Sequence, residues 1–278
     1  MSRMTAKTYT TEVICLRATD FGEADRILQL YSPEHGRISA IAKGVKKQKS
    51  KLSGACELLN ISTVQLSKGK NLDLLCQYQP QESFPGLRTD LLRLAYGMLF
   101  AELLLYTATD TEEDSEAFYG LIKEGLRLLQ ACPEDGVVAF ALQYQLQWLE
   151  SAGYHPVLDA CLYTGEPLDD SAVYYCFSPS LGGIATPAQK KRLQESSGVA
   201  HSEWVNVSTS TLRLLREPTG DWSWEQRLKA QRFLRYYFSR AFERNLRAYE
   251  LVLNLLTPAA TASADLQSRE VALEPTQV

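Results

Sequence analysis

The sequence predicts an α+β protein: an N-terminal five-stranded OB-type β-barrel, then an α-helical domain carrying a small irregular insert. Three observations predict it. Residues 9–80 hold five short runs of strand-forming residues separated by the turn clusters Asp20-Phe21-Gly22, Pro33-Glu34-His35-Gly36 and Ser67-Lys68-Gly69-Lys70-Asn71. After Pro85 the apolar residues fall into helical spacing. Between residues 155 and 188, Gly165, Pro167, Pro179, Gly182-Gly183 and Pro187, mixed with Tyr163, Tyr174, Tyr175 and Phe177, interrupt that spacing.

Taken in order, strands are expected at 11–17 (TEVICLR), 26–31 (RILQLY), 37–43 (RISAIAK), 57–66 (ELLNISTVQL) and 72–78 (LDLLCQY). So many strands in so short a segment fit an OB-type barrel best, because closure removes most edges; an SH3-like barrel is the alternative. Residues 91–107 (LLRLAYGMLFAELLLYT) carry only Arg93 and Glu102 as charges, which predicts a helix buried on most sides, with Asp90 as its N-cap. Amphipathic helices follow at 116–131 and 137–153, broken by Cys132-Pro133, and helical character resumes at 187–196 and 209–216. The last long helix is expected over 224–256. Ser223-Trp224-Glu225-Gln226 matches a capping box at its start. Leu234, Phe238, Phe242, Leu246, Tyr249, Leu253 and Leu256 share one face, and Lys229, Arg240, Arg244 and Arg247 the other. Arg235 projects into the apolar stripe and needs a partner or a route to water. From Pro258 the composition is that of a disordered tail. The expected division is therefore a barrel at 1–80, helical parts at 81–154 and 189–257, an insert at 155–188 and a tail at 258–278.

The 278 residues are 45% apolar and 22% charged, enough to bury a sizeable core. No run approaches the roughly 20 apolar residues that span a bilayer, and the first residues lack a secretory apolar stretch. Six cysteines at irregular spacing suit a reducing compartment, so the expected location is the cytoplasm. The net charge of −4 conceals an asymmetry. Residues 1–80 carry 12 Lys and Arg against 7 Asp and Glu, whereas residues 81–278 carry 17 against 26. A basic front on an acidic body focuses anions onto one face.

The strongest local feature is Lys43-Gly44-Val45-Lys46-Lys47-Gln48-Lys49-Ser50-Lys51, five lysines with no acid among them. Lysine presents a point charge that suits non-specific phosphate contact. Five such contacts to a single strand would give a log–log salt slope of about −3.5. Arg26 and Arg37, on neighbouring strand ends, are expected to extend the patch. A P-loop is excluded, because Gly44 stands alone. His35, His155 and His201 are isolated, and the carboxylates of residues 110–116 read as a solvated loop. No nucleophile elbow, metal-binding helix or calcium loop is present. These features argue for a binding protein with no catalytic residues.

The string Gly22-Glu23-Ala24-Asp25-Arg26-Ile27-Leu28-Gln29-Leu30-Tyr31-Ser32-Pro33-Glu34-His35-Gly36-Arg37-Ile38-Ser39-Ala40-Ile41-Ala42-Lys43-Gly44, with Ser50-Lys51-Leu52 after the basic loop, closely resembles the opening of the bacterial RecO family. The resemblance implies an OB barrel, a helical domain and a small insert that often carries zinc. It implies a recombination mediator that binds single- and double-stranded DNA, anneals complementary strands coated with single-stranded DNA-binding protein (SSB), and works with RecR to load RecA. The matched basic positions are Arg26, Arg37, Lys43, Lys46, Lys47, Lys49 and Lys51, with Lys68 and Lys70 as secondary candidates. Family members also bind the acidic, apolar C-terminal peptide of SSB, for which Arg127, Arg240, Arg244 and Arg247 are candidate contacts. Zinc-bearing members place two C-x2-C pairs around a Phe-Ser…Gly-Gly segment. Here Phe177-Ser178 and Gly182-Gly183 are kept, but the first pair reads Cys161-Leu162-Tyr163-Thr164, the second falls near Ala185 and Ala188, and Cys176 is out of place. Tetrahedral zinc needs four ligands, so no metal is expected. The alternative function is an adaptor whose barrel binds an acidic polypeptide.

Overall fold

A computed structural model describes residues 7–107, 112–169, 171–197 and 203–257. The expected tail at 258–278 and His201 lie outside the described residues. The chain forms two compact units, residues 1–131 and 132–278.

The first unit opens with β1 (Thr8–Phe21), β2 (Asp25–Ser32), β3 (Gly36–Ala42), β4 (Ile61–Ser67) and β5 (Asp73–Glu82). They close into a barrel in the order β1-β2-β3-β5-β4, antiparallel except where β3 meets β5. This is the predicted OB-type barrel. Its interior is filled by alternate residues, among them Val13, Leu28, Leu30, Ile38, Ala40, Val64, Leu66 and Leu75. β1 outruns its predicted bounds and bends at an irregularity between Cys15 and Arg17. Pro80 is accommodated in β5 beside a shift in register between Ile61 and Ser62.

The segment 57–60 is not strand. A single 3-10 turn, Ser53–Cys56, places Ala55 and Cys56 in the barrel core, and Leu59 takes a left-handed φ of 67° before β4 begins at Ile61. Its apolar residues plug the barrel instead of extending its wall.

Helices α1 (Pro85–Thr89), α2 (Leu91–Thr107) and α3 (Glu112–Ala131) belong to the same unit. Asp90 caps α2 as predicted, its Oδ1 accepting from the N–H groups of Leu92 (2.8 Å) and Arg93 (3.1 Å). α2 lies against β1, and α3 against β2 and β3. The facing pair Ile14 and Tyr31 is accordingly fully buried, although neither belongs to the barrel interior. Glu12 joins strand to helix, accepting from Tyr119 Oη and Lys123 Nζ, both at 2.7 Å.

The second unit contains α4 (Val137–Ser151), β6 (Val157–Cys161), β7 (Tyr174–Ser178), β8 (Gly183–Ala185), α5 (Pro187–Ser197), β9 (Val205–Ser208), α6 (Thr209–Arg216), α7 (Trp224–Ala241) and α8 (Ala248–Leu256). Expected as irregular loop and strand, the insert orders its strands into a four-stranded sheet, β6-β8-β7-β9, whose fourth strand comes from beyond Ala188. The single helix expected over 224–256 is in fact two. The capping box at Ser223 and Gln226 starts α7, but the chain leaves the helix at Phe242, and Glu243 takes a φ of 51°. α8 then packs back on α7, with Tyr249 beside Phe238. The apolar stripe is buried by folding onto itself. Tyr249 Oη also reaches Gln145 Oε1 (2.7 Å), which accepts from Gln231 Nε2 (2.8 Å) in a buried polar pair. Arg235 finds the partner its position demanded, Glu250 at 2.5 Å.

Candidate nucleic-acid interface

Strand direction decides where the basic residues go. The β1–β2 hairpin tip and the β3–β4 connection open at one end of the barrel, the β2–β3 and β4–β5 turns at the other. Lys43, Lys46, Lys47, Lys49 and Lys51 lie in the β3–β4 connection, all exposed. Arg26 lies beside them, since it pairs with Ala42.

This loop is fastened down between its cations. Val45 is only 5% exposed and belongs to the barrel core. The Gly44 N–H donates to Asp25 Oδ1 (2.7 Å), and the Lys46 N–H to the Ala24 carbonyl (2.9 Å). Gly44 adopts a φ of 64°, a bend that glycine accepts without steric cost.

One carboxylate sits within the patch. Asp20 accepts from Lys46 Nζ and Arg26 Nε, each at 2.9 Å. Its bond to Lys46, then that to Arg26, holds the Asp20 carboxyl below the usual aspartate range. Lys43, Lys47, Lys49 and Lys51 make no ion pair among the described residues.

The remaining basic candidates are elsewhere. Arg37 pairs with Tyr31 at the opposite end of the β2–β3 hairpin, so it does not extend the lysine patch. An antiparallel hairpin puts the starts of its two strands at opposite ends. Arg37 Nη1 donates to the Leu105 carbonyl (3.1 Å), satisfying an acceptor in the last turn of α2. Lys68 and Lys70 occupy the β4–β5 turn at that same far end. Lys68 Nζ stands 5.9 Å over the Tyr9 ring, whose edge meets His35 at 4.8 Å. Lys7, whose carbonyl accepts from the Lys68 N–H (3.1 Å), adds a further cation there.

Sequence reasoning missed two residues at the lysine end. Arg17 and Phe21 are exposed on β1, on the face turned away from the core leucines of β2. Strict alternation from the core residue Val13 turns both inward, whereas the irregularity between Cys15 and Arg17 shifts the phase and sets them outside.

The four arginines considered for an acidic peptide do not form one group. Arg127 belongs to the first unit, where it grips Glu82 with two bonds of 2.9 and 2.7 Å. Arg240 stacks on Tyr236 at 5.5 Å. Arg244 and Arg247, joined by Arg235, line a cavity of about 170 Å³ with Phe238, Leu246 and Tyr249 at the turn between α7 and α8.

At the place of the family's zinc, the residues present do not fit the metal. Cys161 donates to Gln189 Oε1 (2.8 Å), which also accepts from Thr186 Oγ1 (2.7 Å), and Cys176 faces Asn206 (3.6 Å). Ala185 and Trp204 fill the space beside them. Burial would raise the Cys161 thiol, but backbone N–H groups of Thr164, Tyr163 and Thr186 outweigh it and hold it below the usual thiol value. Among the described residues no three His, Cys, Asp or Glu side chains gather. The same description holds no helix long and apolar enough to cross a membrane.

Comparison with known proteins assigns both halves of the chain. The family model for the recombination protein O N terminal region matches residues 4–84, and that for its C terminal region matches residues 88–250. A DNA repair protein RecO of Synechococcus elongatus is 32% identical over 270 residues, 93% of this chain and 99% of the relative. That of Pelotomaculum thermopropionicum is 33% identical over 267 residues, 94% and 100% of the two chains. That of Heliobacterium modesticaldum is 36% identical over 210 residues, 75% and 72%. With the OB-type barrel, the basic loop and these matches agreeing, the chain belongs to the RecO family and has a role in DNA repair and recombination.

Proposed function

We propose that this protein binds DNA at the lysine end of its barrel, anneals complementary single strands coated with SSB, and helps RecR load RecA. The observation that carries the reading is the fastened lysine loop: four exposed cations without ion pairs, pinned through Val45 to the barrel. Such a surface lowers repulsion between two phosphate backbones, and annealing changes no covalent bond, so it needs no catalytic group. The cavity between α7 and α8 supports SSB-peptide binding, since an arginine rim over an apolar floor suits an acidic, apolar C-terminus. Arg244 and Arg247 are its contacts in this reading; Arg127 and Arg240, each engaged elsewhere, are weaker ones. The insert is proposed to work without zinc, its strands joined through Gln189. On this reading the protein works in the cytoplasm, at the nucleoid.

The test is annealing of complementary oligonucleotides precoated with SSB, with Lys46, Lys47 and Lys49 changed together to Gln. The variant is expected to bind single strands more weakly and to flatten the log–log salt slope by about 1.4, at roughly 0.7 for each of Lys47 and Lys49, since Asp20 holds Lys46. Unchanged affinity and slope, or equal binding of an acidic polypeptide, would refute the DNA reading.

A further inference from the structure

An exposed phenylalanine at a hairpin tip is by itself unremarked, since soluble proteins scatter such residues over their surfaces. Phe21 differs in its company. It is the last residue of β1, 50% exposed, and next to Asp20, which holds Lys46 and Arg26. Residues directly opposite in an antiparallel pair share a face. Phe21 lies opposite Asp25, the residue that anchors Gly44 at the start of the lysine loop. One step along the same face, Thr19 faces Ile27, and Ile27 faces Ile41; the next step sets Arg17 against Gln29 and Gln29 against Ser39.

The intervening residues Leu28, Leu30, Ala40 and Ala42 point into the barrel, so this face is the outer one, and Ile27, Gln29, Ser39 and Ile41 are only half-buried on it. The helices of the unit cover the far end of the same face, at Ile14 and Tyr31, while Arg17, Thr19 and Phe21 at this end are exposed. An aromatic ring and two isoleucines thus line the outer face where β3 runs on into Lys43 and the lysine loop, while Arg26 and Lys46 meet Asp20 on the other side of the same hairpin. Phosphates alone would not require that apolar strip, whereas unstacked bases would.

We propose that Phe21, with Ile27 and Ile41 beneath it, is a base-stacking platform that gives the lysine patch a preference for single-stranded over double-stranded DNA; this rests on the DNA reading above. The backbone follows the lysines while bases turn onto the outer face. Arg17 and Gln29 lie further along it, within the path of the next nucleotides. A paired duplex keeps its bases stacked internally and offers the platform nothing.

The experiment compares the full-length protein with Phe21→Ala, Phe21→Leu and Phe21→Tyr, using a fluorescein-labelled oligothymidylate and a labelled duplex of the same length. Phe21→Ala and Phe21→Leu are expected to lose about ten-fold in affinity for the single strand. Duplex affinity and the salt slope stay unchanged, because no charge is removed. Phe21→Tyr keeps the ring and the affinity. Circular dichroism shows that the variants fold, and an oligonucleotide carrying 2-aminopurine reports stacking directly by quenching that Phe21→Ala abolishes. If Phe21→Ala leaves single-strand affinity unchanged while the triple lysine variant weakens it, the platform is wrong and the DNA reading stands. Equal losses on both DNA forms, or full activity of Phe21→Leu, also overturn the platform. If neither the lysine nor the phenylalanine variants bind differently from the parent, the DNA reading itself falls.

Discussion

Asp20 moderates the patch it belongs to. Two cations share its carboxylate, so a ligand phosphate must compete with it for Lys46 and Arg26. Exposed ion pairs of this kind add little to stability, and their cost appears in binding instead. Because both partners hold Asp20 below its ordinary value of 3.8, it stays ionised throughout the neutral range, and pH near 7 does not release them. Substitution does. Asp20→Asn is expected to tighten single-strand binding and to steepen the log–log salt slope by about 0.7 to 1.4, one or two added phosphate contacts. Anisotropy titrations across a salt series measure both, and a slope equal to that of the parent would show that the carboxylate is no competitor. At this scale the lysines were legible in the sequence, as adjacent residues of one charge. Their counter-ion was not, since residues 20 and 46 meet only because β1, β2 and β3 lie side by side.

Elements were legible where the signal is local. Asp90 and the Ser223–Gln226 box cap the helices expected of them, because a cap is a contact across two or three residues. The misreadings arose where local pattern and tertiary packing diverge. Helical spacing continues across residues 242–247, yet burying the stripe of α7 against α8 requires a turn there. Residues 57–60 hold two leucines that suit a strand, but Leu58 is exposed and Leu59 turns with a left-handed φ, after Ala55 and Cys56 have entered the barrel core. The insert sheet needs β9, contributed by a later segment that no short-range pattern joins to β7. Its tie is Gln189, whose Oε1 accepts from Cys161 on β6 and from Thr186 just after β8. Gln189→Ala is expected to raise hydrogen exchange at the amides of β6 and β8, whereas a chelator leaves exchange in the parent unaltered. Protection that collapses on chelation would establish a metal there.

At the scale of the whole molecule, the first unit includes more than the barrel. Ile14 and Tyr31 are fully buried on the barrel's outer side, and Glu12, Arg37 and Glu82 are all engaged by α2 or α3. Residues 1–131 produced alone are therefore expected to unfold cooperatively on heating, with a dispersed NMR spectrum, whereas residues 1–84 expose that apolar face and do not. A well-folded 1–84 fragment would show that the helices are accessory. The charge asymmetry belongs to this scale as well. In a chain of net charge −4, the excess of basic residues is confined to residues 1–80, so on the DNA reading a polyanion is drawn to that segment.

The division of cations between the two ends of the barrel has its own outcome. Lys68, Lys70 and Lys7 stand round the barrel from the lysine loop, beyond Ser67, which lies two strands of about 4.8 Å each from Ile41 through Leu74. On the DNA reading, a short oligomer engages one group, while a longer one reaches both and gains from tethering, as a bivalent ligand does. In that reading grip grows with polymer length up to that span, and release one end at a time lets a bound strand be handed over without ever being set wholly free.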